Sequence, residues 1–380
     1  MMMVDFKYSI LEISPFHMAA SRGEMYCFYK FNRKILNILL QYFENINFCT
    51  QEKLYGYTPV HLAASISNID CLKALLEHSL TPQDLNIKTK DNLTALSISV
   101  LNKSSEALIR YLVKKGSHLN IPFSSHLISL IHVACIRGNS SILEFFLKSA
   151  ADSNQITENR KSGALLCAQV GSLLCLKVLH KYEADFNLLD ADMYSPLQWA
   201  CIKGNNDIVD FLLQNIFPEE VFHGSIFSSL HCAVFNQSIH SVNAILEMKR
   251  EIPQLFDIYL RTPLHYAVAL DEPSIVESLL NSGASLSIKN SLGETPIHIA
   301  AVNHNRSILD VCLAHSCDLS IVDHNGNTAL HLACLGGHKE NAALLTTKMT
   351  QEEISIKNNQ GEIAEYFSQK IRPVSDDCDS

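Results

Sequence analysis

The 380-residue sequence carries seventeen histidines and twelve cysteines, the side chains that most often hold zinc or supply a nucleophile. A zinc site needs three or four such ligands converging on one point. Seven of the histidines, His17, His61, His132, His231, His265, His298 and His331, instead recur singly down the chain, which keeps them apart. The densest remaining group is Cys312, His315 and Cys317. Cys312 falls on an apolar helical position and Cys317 where other stretches place Ala, so both read as packed side chains. HExxH, G-x-S-x-G, Walker A and GxGxxG patterns are absent, as is any CxxC pair. A cysteine nucleophile stays open on sequence alone, because its histidine partner can be distant. Yet nine cysteines (71, 135, 167, 175, 201, 232, 312, 317 and 334) fit positions expected to be buried. Cys27, Cys49 and Cys378 lie in no recognisable catalytic setting. The residues able to do chemistry therefore predict no catalytic site, no metal and no cofactor.

What must position so many evenly spread side chains is a repeating element, and one tetrapeptide recurs along the chain. It reads SPFH at 14–17, TPVH at 58–61, SPLQ at 195–198, TPLH at 262–265, TPIH at 295–298 and TALH at 328–331. Weaker forms start at 94, 129, 163 and 228, giving intervals of 44, 36, 35, 34, 32, 33, 34, 33 and 33 residues. A Thr or Ser before Pro opens a helix, since the hydroxyl accepts from an orphan N–H and Pro at the first helical position needs no donor. Small pairs follow, such as Ala63-Ala64 and Ala300-Ala301, which let this inner helix pack closely. A second helix shows paired apolar residues, as in Ile275-Val276 with Leu279-Leu280 or Ile208-Val209 with Leu212-Leu213, so one side of it is buried. An extended tail and a turn close the unit; Gly56, Gly293 and Gly326 stand two residues before the Thr, where a left-handed backbone suits glycine. Asn92 can imitate glycine there, whereas Met193 and Leu260 adopt that backbone only at a cost.

A unit of this length and signature resembles the ankyrin repeat, over roughly residues 10–370. The resemblance implies an all-α solenoid with β-hairpin fingers, a helix-turn-helix plus hairpin per repeat. Residues 1–13 read as a lead-in, 14–355 as the array with starts near 14, 58, 94, 129, 163, 195, 228, 262, 295 and 328, 356–372 as a partial capping repeat and 373–380 as a disordered acidic tail. The first repeat is lengthened around residues 24–31, an aromatic-rich stretch that reads as an extended second helix or a partner contact. The repeat at Gly163 lacks both the Thr-Pro and the His. In the family the imidazole bonds backbone groups between neighbouring repeats, which makes the seven histidines structural. Partners bind a concave groove lined by finger residues, here Tyr57, Tyr194, Arg261, Glu294 and Asn327, and by inner-helix residues, here Lys203 and His304. Trp199 stands where Leu62 and Leu332 stand in other repeats and reads as core. Asn187, with Leu179 eight before it and Asp185 two before, resembles ankyrin asparagines hydroxylated by a dioxygenase; the plainer reading is a turn-supporting asparagine.

Composition fits this picture. A 47% apolar content and a mean hydropathy of +0.07 supply enough buried surface for a folded chain. The length alone suggests two or three domains, but ten units and a cap use it up as one array. A net charge of −9 argues against a nucleic-acid partner. Asp5, Lys7 and Glu12 interrupt any secretory leader, and the charge-free run 119–136 holds too many polar groups for a lipid-facing helix, which predicts no membrane insertion. Cysteine usage suits a reducing compartment, hence a cytoplasmic location with the nucleus as second choice. The function expected is a non-enzymatic scaffold or adaptor binding partner proteins, as a monomer or a subunit of a hetero-complex. The alternative is a regulatory or targeting subunit of an enzyme complex, such as a phosphatase or ubiquitin ligase, or the cytosolic part of a larger channel or enzyme.

Overall fold

A computed structural model describes residues 51, 55–77, 84–123, 126–216, 227–248 and 255–365. The lead-in, most of the first repeat with its insert, and the acidic tail lie outside them. The chain divides into two compact units, Met1–Ala191 and Asp192–Ser380, and each is described by itself. Helices build both. The first unit holds α1 (Pro59–Ser65), α2 (Ile69–Glu77), α3 (Ala95–Leu101), α4 (Glu106–Lys114), α5 (Leu130–Ile136), α6 (Ser140–Lys148), α7 (Gly163–Val170) and α8 (Leu173–Lys181). The second holds α9 (Pro196–Lys203), α10 (Asn206–Asn215), α11 (Ser229–Phe235), α12 (Ile239–Glu247), α13 (Pro263–Ala269), α14 (Pro273–Asn281), α15 (Pro296–Ala301), α16 (Arg306–Ala314), α17 (Ala329–Leu335), α18 (Lys339–Lys348) and a short α19 (Gln351–Ile354). Among the described residues, no helix is long and apolar enough to cross a membrane.

Each inner helix opens on a Thr or Ser cap. Thr58, Thr94, Ser129, Ser162, Ser195, Ser228, Thr262, Thr295 and Thr328 are all N-caps in extended backbone. Ser162 corrects the expectation at Gly163. Its hydroxyl accepts the Leu165 N–H at 3.4 Å, so the motif there is Ser162-Gly163-Ala164-Leu165 and the flanking intervals become an even 33 residues each. The helix-opening hydroxyl is present in that repeat; Gly163 stands where other repeats have Pro, and Leu165 replaces the histidine.

Inner helices pack on inner helices, α1 on α3 on α5 on α7 in the first unit and α9 through α17 in the second. The small pairs make this close approach workable: Ala63, Ala64, Cys135, Cys201, Ala300 and Ala301 are fully buried. The outer helices bury their paired apolar residues, including Ile208, Val209, Ile275 and Val276. Of the nine described cysteines, eight are buried, and Cys317 is partly exposed where burial was expected.

The fingers that the ankyrin resemblance implies are short, tight turns. Each is a turn closed by two backbone bonds, as from Asn290 N–H to the Glu294 carbonyl at 2.8 Å and from Gly293 N–H to the Asn290 carbonyl at 2.9 Å. Two isolated bridges are the only strand pairing among the described residues. A finger of about five residues satisfies its polar backbone by this closure and by bonding to the next finger, as Ser291 N–H does to the Tyr259 carbonyl at 2.8 Å. The turn is left-handed at Gly56, Asn92, Gly293 and Gly326 and equally at Met193 and Leu260. Glycine is required at 293 and 326 for a second reason: a Cβ there would meet the backbone N of His324 or Asn359 at 2.7 Å.

Candidate partner-binding surface

One carboxylate organises the finger of residues 257–261. Asp257, almost fully buried, accepts the N–H groups of Tyr259 and Arg261 on one oxygen, each at 2.8 Å. Its other oxygen accepts Arg261 Nε at 2.8 Å and the Tyr266 hydroxyl at 2.7 Å. Asn290 and Asp323 hold the next two fingers by the same backbone bonds. What differs at Asp257 is the arginine. The Arg261 guanidinium lies over the Tyr259 ring at 4.8 Å and over Tyr266 at 4.6 Å, a pair of cation–π contacts. Tyr266, on α13, also meets Phe227 and His231 edge-on at 5.9 and 5.8 Å. Burial, followed by the bond to the carboxylate, pushes the Tyr266 phenol up to about 12. Burial opposes ionisation of Asp257, yet the Arg261 N–H, the Tyr266 hydroxyl, the Arg261 guanidinium and the Tyr259 N–H together hold its carboxyl below the ordinary value. An ionised aspartate and a fixed, partly exposed arginine result.

Beside that arginine, the finger tips are apolar. Ile258 is 64% exposed, Tyr259 52% and Leu260 50%, and Leu292 of the bonded next finger is 62% exposed. Single exposed apolar residues are ordinary on protein surfaces, but four on two linked fingers form an edge that water solvates poorly.

The other residues singled out from the sequence are scattered. In the first unit Tyr57 is half-buried, edge-on to Tyr55 at 6.1 Å and to His61 at 6.0 Å. In the second unit Tyr194 and Lys203 come together through Trp199, with ring centroids 5.7 Å apart for the tyrosine and the Lys203 ammonium 5.8 Å from the indole. Trp199 is therefore half-buried rather than core, and Leu62 and Leu332 at the matching position are half-buried too. Glu294 uses its carboxylate to accept Asn290 Nδ2 at 2.9 Å. His304 is exposed and packs against His338 with centroids 5.1 Å apart. Asn327 is withdrawn from the surface: it is 7% exposed, donates to Asp323 Oδ2 at 3.3 Å and accepts from Asn358 Nδ2 at 3.2 Å. A short amide between two polar finger hubs is pulled inward by both. Asn187 is exposed in a turn where its N–H donates to Asp185 at 2.8 Å, the same turn that Asp152 makes with Asn154 at 2.9 Å.

The recurrent histidines bridge repeats. Nδ1 of His61, His132, His231, His265, His298 and His331 accepts from the N–H of its own cap residue. Nε2 then donates to a carbonyl 23 to 31 residues onward, those of Ile87, Gln155, Arg261, Glu294, Asn327 and Glu362, at 2.8–3.2 Å. Gln198 does the same with an amide, accepting from Ser195 N–H and donating to the Phe227 carbonyl. Among the described residues no group of three or more His, Cys, Asp or Glu is arranged to hold a metal ion.

A sequence model of ankyrin repeats matches three times, at residues 16–122, 131–222 and 264–360. The chain belongs to the ankyrin-repeat family. The ankyrin repeat domain of Bcl-3, a member of the IkappaB family, is similar in fold, with a TM-score of 0.52 and 23% identity over 59% of this chain and 99% of that one. The transient receptor potential channel pyrexia of Drosophila melanogaster is 31% identical over 43% of this chain and 16% of its own length. The probable 26S proteasome regulatory subunit p28 of Saccharomyces cerevisiae is 28% identical over 41% of this chain and 68% of its own. The matched stretch thus spans about a sixth of the channel. Within the ankyrin frame, sequence reasoning found Arg261 but missed Asp257, Tyr259 and Tyr266. The i, i+4 spacing of Asp257 and Arg261 was a usable signal; the approach of Tyr266 from the following helix was not.

Proposed function

We propose that this chain is a non-catalytic scaffold whose second unit binds a partner protein along the finger edge of Ile258, Tyr259, Leu260 and Leu292, with Arg261 as its polar anchor. The observation that carries the reading is Arg261 held between Tyr259 and Tyr266 by a buried carboxylate. Tyrosine and arginine dominate binding hot spots, and a side chain already fixed loses little rotamer freedom on binding. Membership of the ankyrin family supports the same reading. Affinity capture with the whole chain is expected to lose its partners when Tyr259 and Arg261 are both changed to Ala, and to keep them for Tyr57→Ala. Identical partner lists for wild type and the double variant would refute this surface.

A second reading, a regulatory subunit of an enzyme complex, draws on the similarity to the proteasome subunit p28, and recovery of a single stoichiometric enzyme would favour it. Cysteine usage supports a cytoplasmic site of action, with the nucleus as second compartment. Hydroxylation of Asn187 belongs to the same proposal and rests on its exposed turn. A +16 mass shift on its peptide after co-expression with an asparaginyl dioxygenase tests it.

A further inference from the structure

The bridging histidines are spent on backbone groups, and the exposed His126 and His240 each face a carboxylate, Glu158 and Asp210, at 2.9 Å. His304 and His338 are different. Neither imidazole has a hydrogen-bond partner among the described residues, and their ring centroids lie 5.1 Å apart. His304 is exposed and His338 half-buried. His304 stands in the turn between α15 and α16. His338 stands in the matching turn one repeat on, where it caps α18 without using its side chain.

Two features hold the pair in place. Asn341 on α18 is buried, and its amide donates to the Ala301 carbonyl at 3.1 Å and to the Asn303 carbonyl at 2.8 Å. Those bonds fix the His304 turn against the helix that His338 opens. Gly336 makes room for the second ring. Its φ of −77° is one that any residue adopts, but a Cβ there would meet His338 Cδ2 at 2.6 Å and Nε2 at 2.9 Å. A side chain at 336 would push the imidazole aside, so the glycine serves the ring rather than the backbone.

The separation of the rings is the one a shared metal requires. With Zn–N bonds of about 2.0–2.1 Å, two imidazoles on one tetrahedral zinc have centroids about 5 Å apart. The terminal torsion of histidine is soft, so a nitrogen of each ring can turn to a common point while the backbone stays fixed. We infer that His304 and His338 form a two-imidazole site for a divalent transition metal of the zinc class, joining the turns of neighbouring repeats. Each neutral ring gives one nitrogen lone pair, the ligand type that zinc and its neighbours in the first transition row favour, and water fills the remaining positions. Two ligands are one fewer than the three-residue groups that the described residues lack. The metal is therefore exchangeable, and because it binds the folded turns it stabilises the second unit by mass action.

The full-length chain, stripped of metal with chelator, is titrated with zinc chloride by calorimetry, and its imidazole signals are followed by NMR. Wild type is expected to take up one equivalent more than either His304→Ala or His338→Ala, and zinc should shift both ring signals together. Its thermal midpoint should stand a few degrees higher in zinc than in chelator. In chelator both variants should unfold with wild type, since neither side chain holds a bond in the fold. His240→Ala, which removes an exposed histidine from its pair with Asp210, should keep the extra equivalent. Three results would each overturn the proposal: equal zinc uptake by wild type and both variants, loss of the equivalent in one variant but not the other, or His304 and His338 ring signals unmoved by zinc.

Discussion

At the scale of single residues, a histidine bridge here is a neutral imidazole fully committed to two backbone groups. Burial, against the favourable backbone bond, holds His132, His231, His265, His298 and His331 below the ordinary imidazole value. Above a pH of about 6.5 these groups are neutral in both folded and unfolded chains. Below it the unfolded chain takes up protons first, so stability falls as pH drops through 6.5 toward the depressed folded values. A thermal midpoint that declines between pH 7 and 5 is expected, and a midpoint flat across that range would contradict it. Gln198 shows that an amide can do the bridging without titrating. His265→Gln should therefore keep most stability at pH 7 and lessen the acid loss, while His265→Ala, which strands the Thr262 N–H and the Glu294 carbonyl, should cost about 2 kcal/mol in urea unfolding. Met193 spends backbone energy on a left-handed turn; Met193→Gly should raise stability by about 0.5–1 kcal/mol, the strain relieved exceeding the added chain entropy.

Among elements, the repeats are unequally tied. Inner helices α13, α15 and α17 each have a Thr cap and an imidazole reaching the next finger, whereas α7 has its Ser162 cap and no such reach. Backbone amides in 157–190 are therefore expected to exchange faster than those in 262–340, and equal protection in a hydrogen-exchange experiment would reject the idea. The positions of the helices were legible because caps, proline and paired apolar residues are local signals. The displaced start at 162 arose where a weak motif, Gly163-Ala164-Leu165-Leu166, matched the pattern by its apolar residues and hid the serine before it. The fingers were legible as turns because glycine or asparagine marks a left-handed position two residues before the cap.

For the whole molecule, each of the two units is a stack of helix pairs in which no pair could bury its own apolar face. If the finger edge is the partner surface, simultaneous change of Tyr259 and Arg261 should abolish capture without lowering the unfolding midpoint by more than a few degrees, since both reach solvent; a large fall would recast Arg261 as a structural brace. Repeat length, helix polarity, the buried small pairs and the family follow from sequence by itself, because they depend on neighbours within about four residues recurring every 33. Tertiary structure alone decided which surface residues act together. Arg261 and Glu294 look alike as finger residues, but one is fixed between two tyrosines by a buried aspartate and the other is tied to its own finger. Asn327 looks like them and is buried, and Trp199 looks like core and is half-exposed. Such contacts join side chains whose separation in the chain carries no trace of their separation in space.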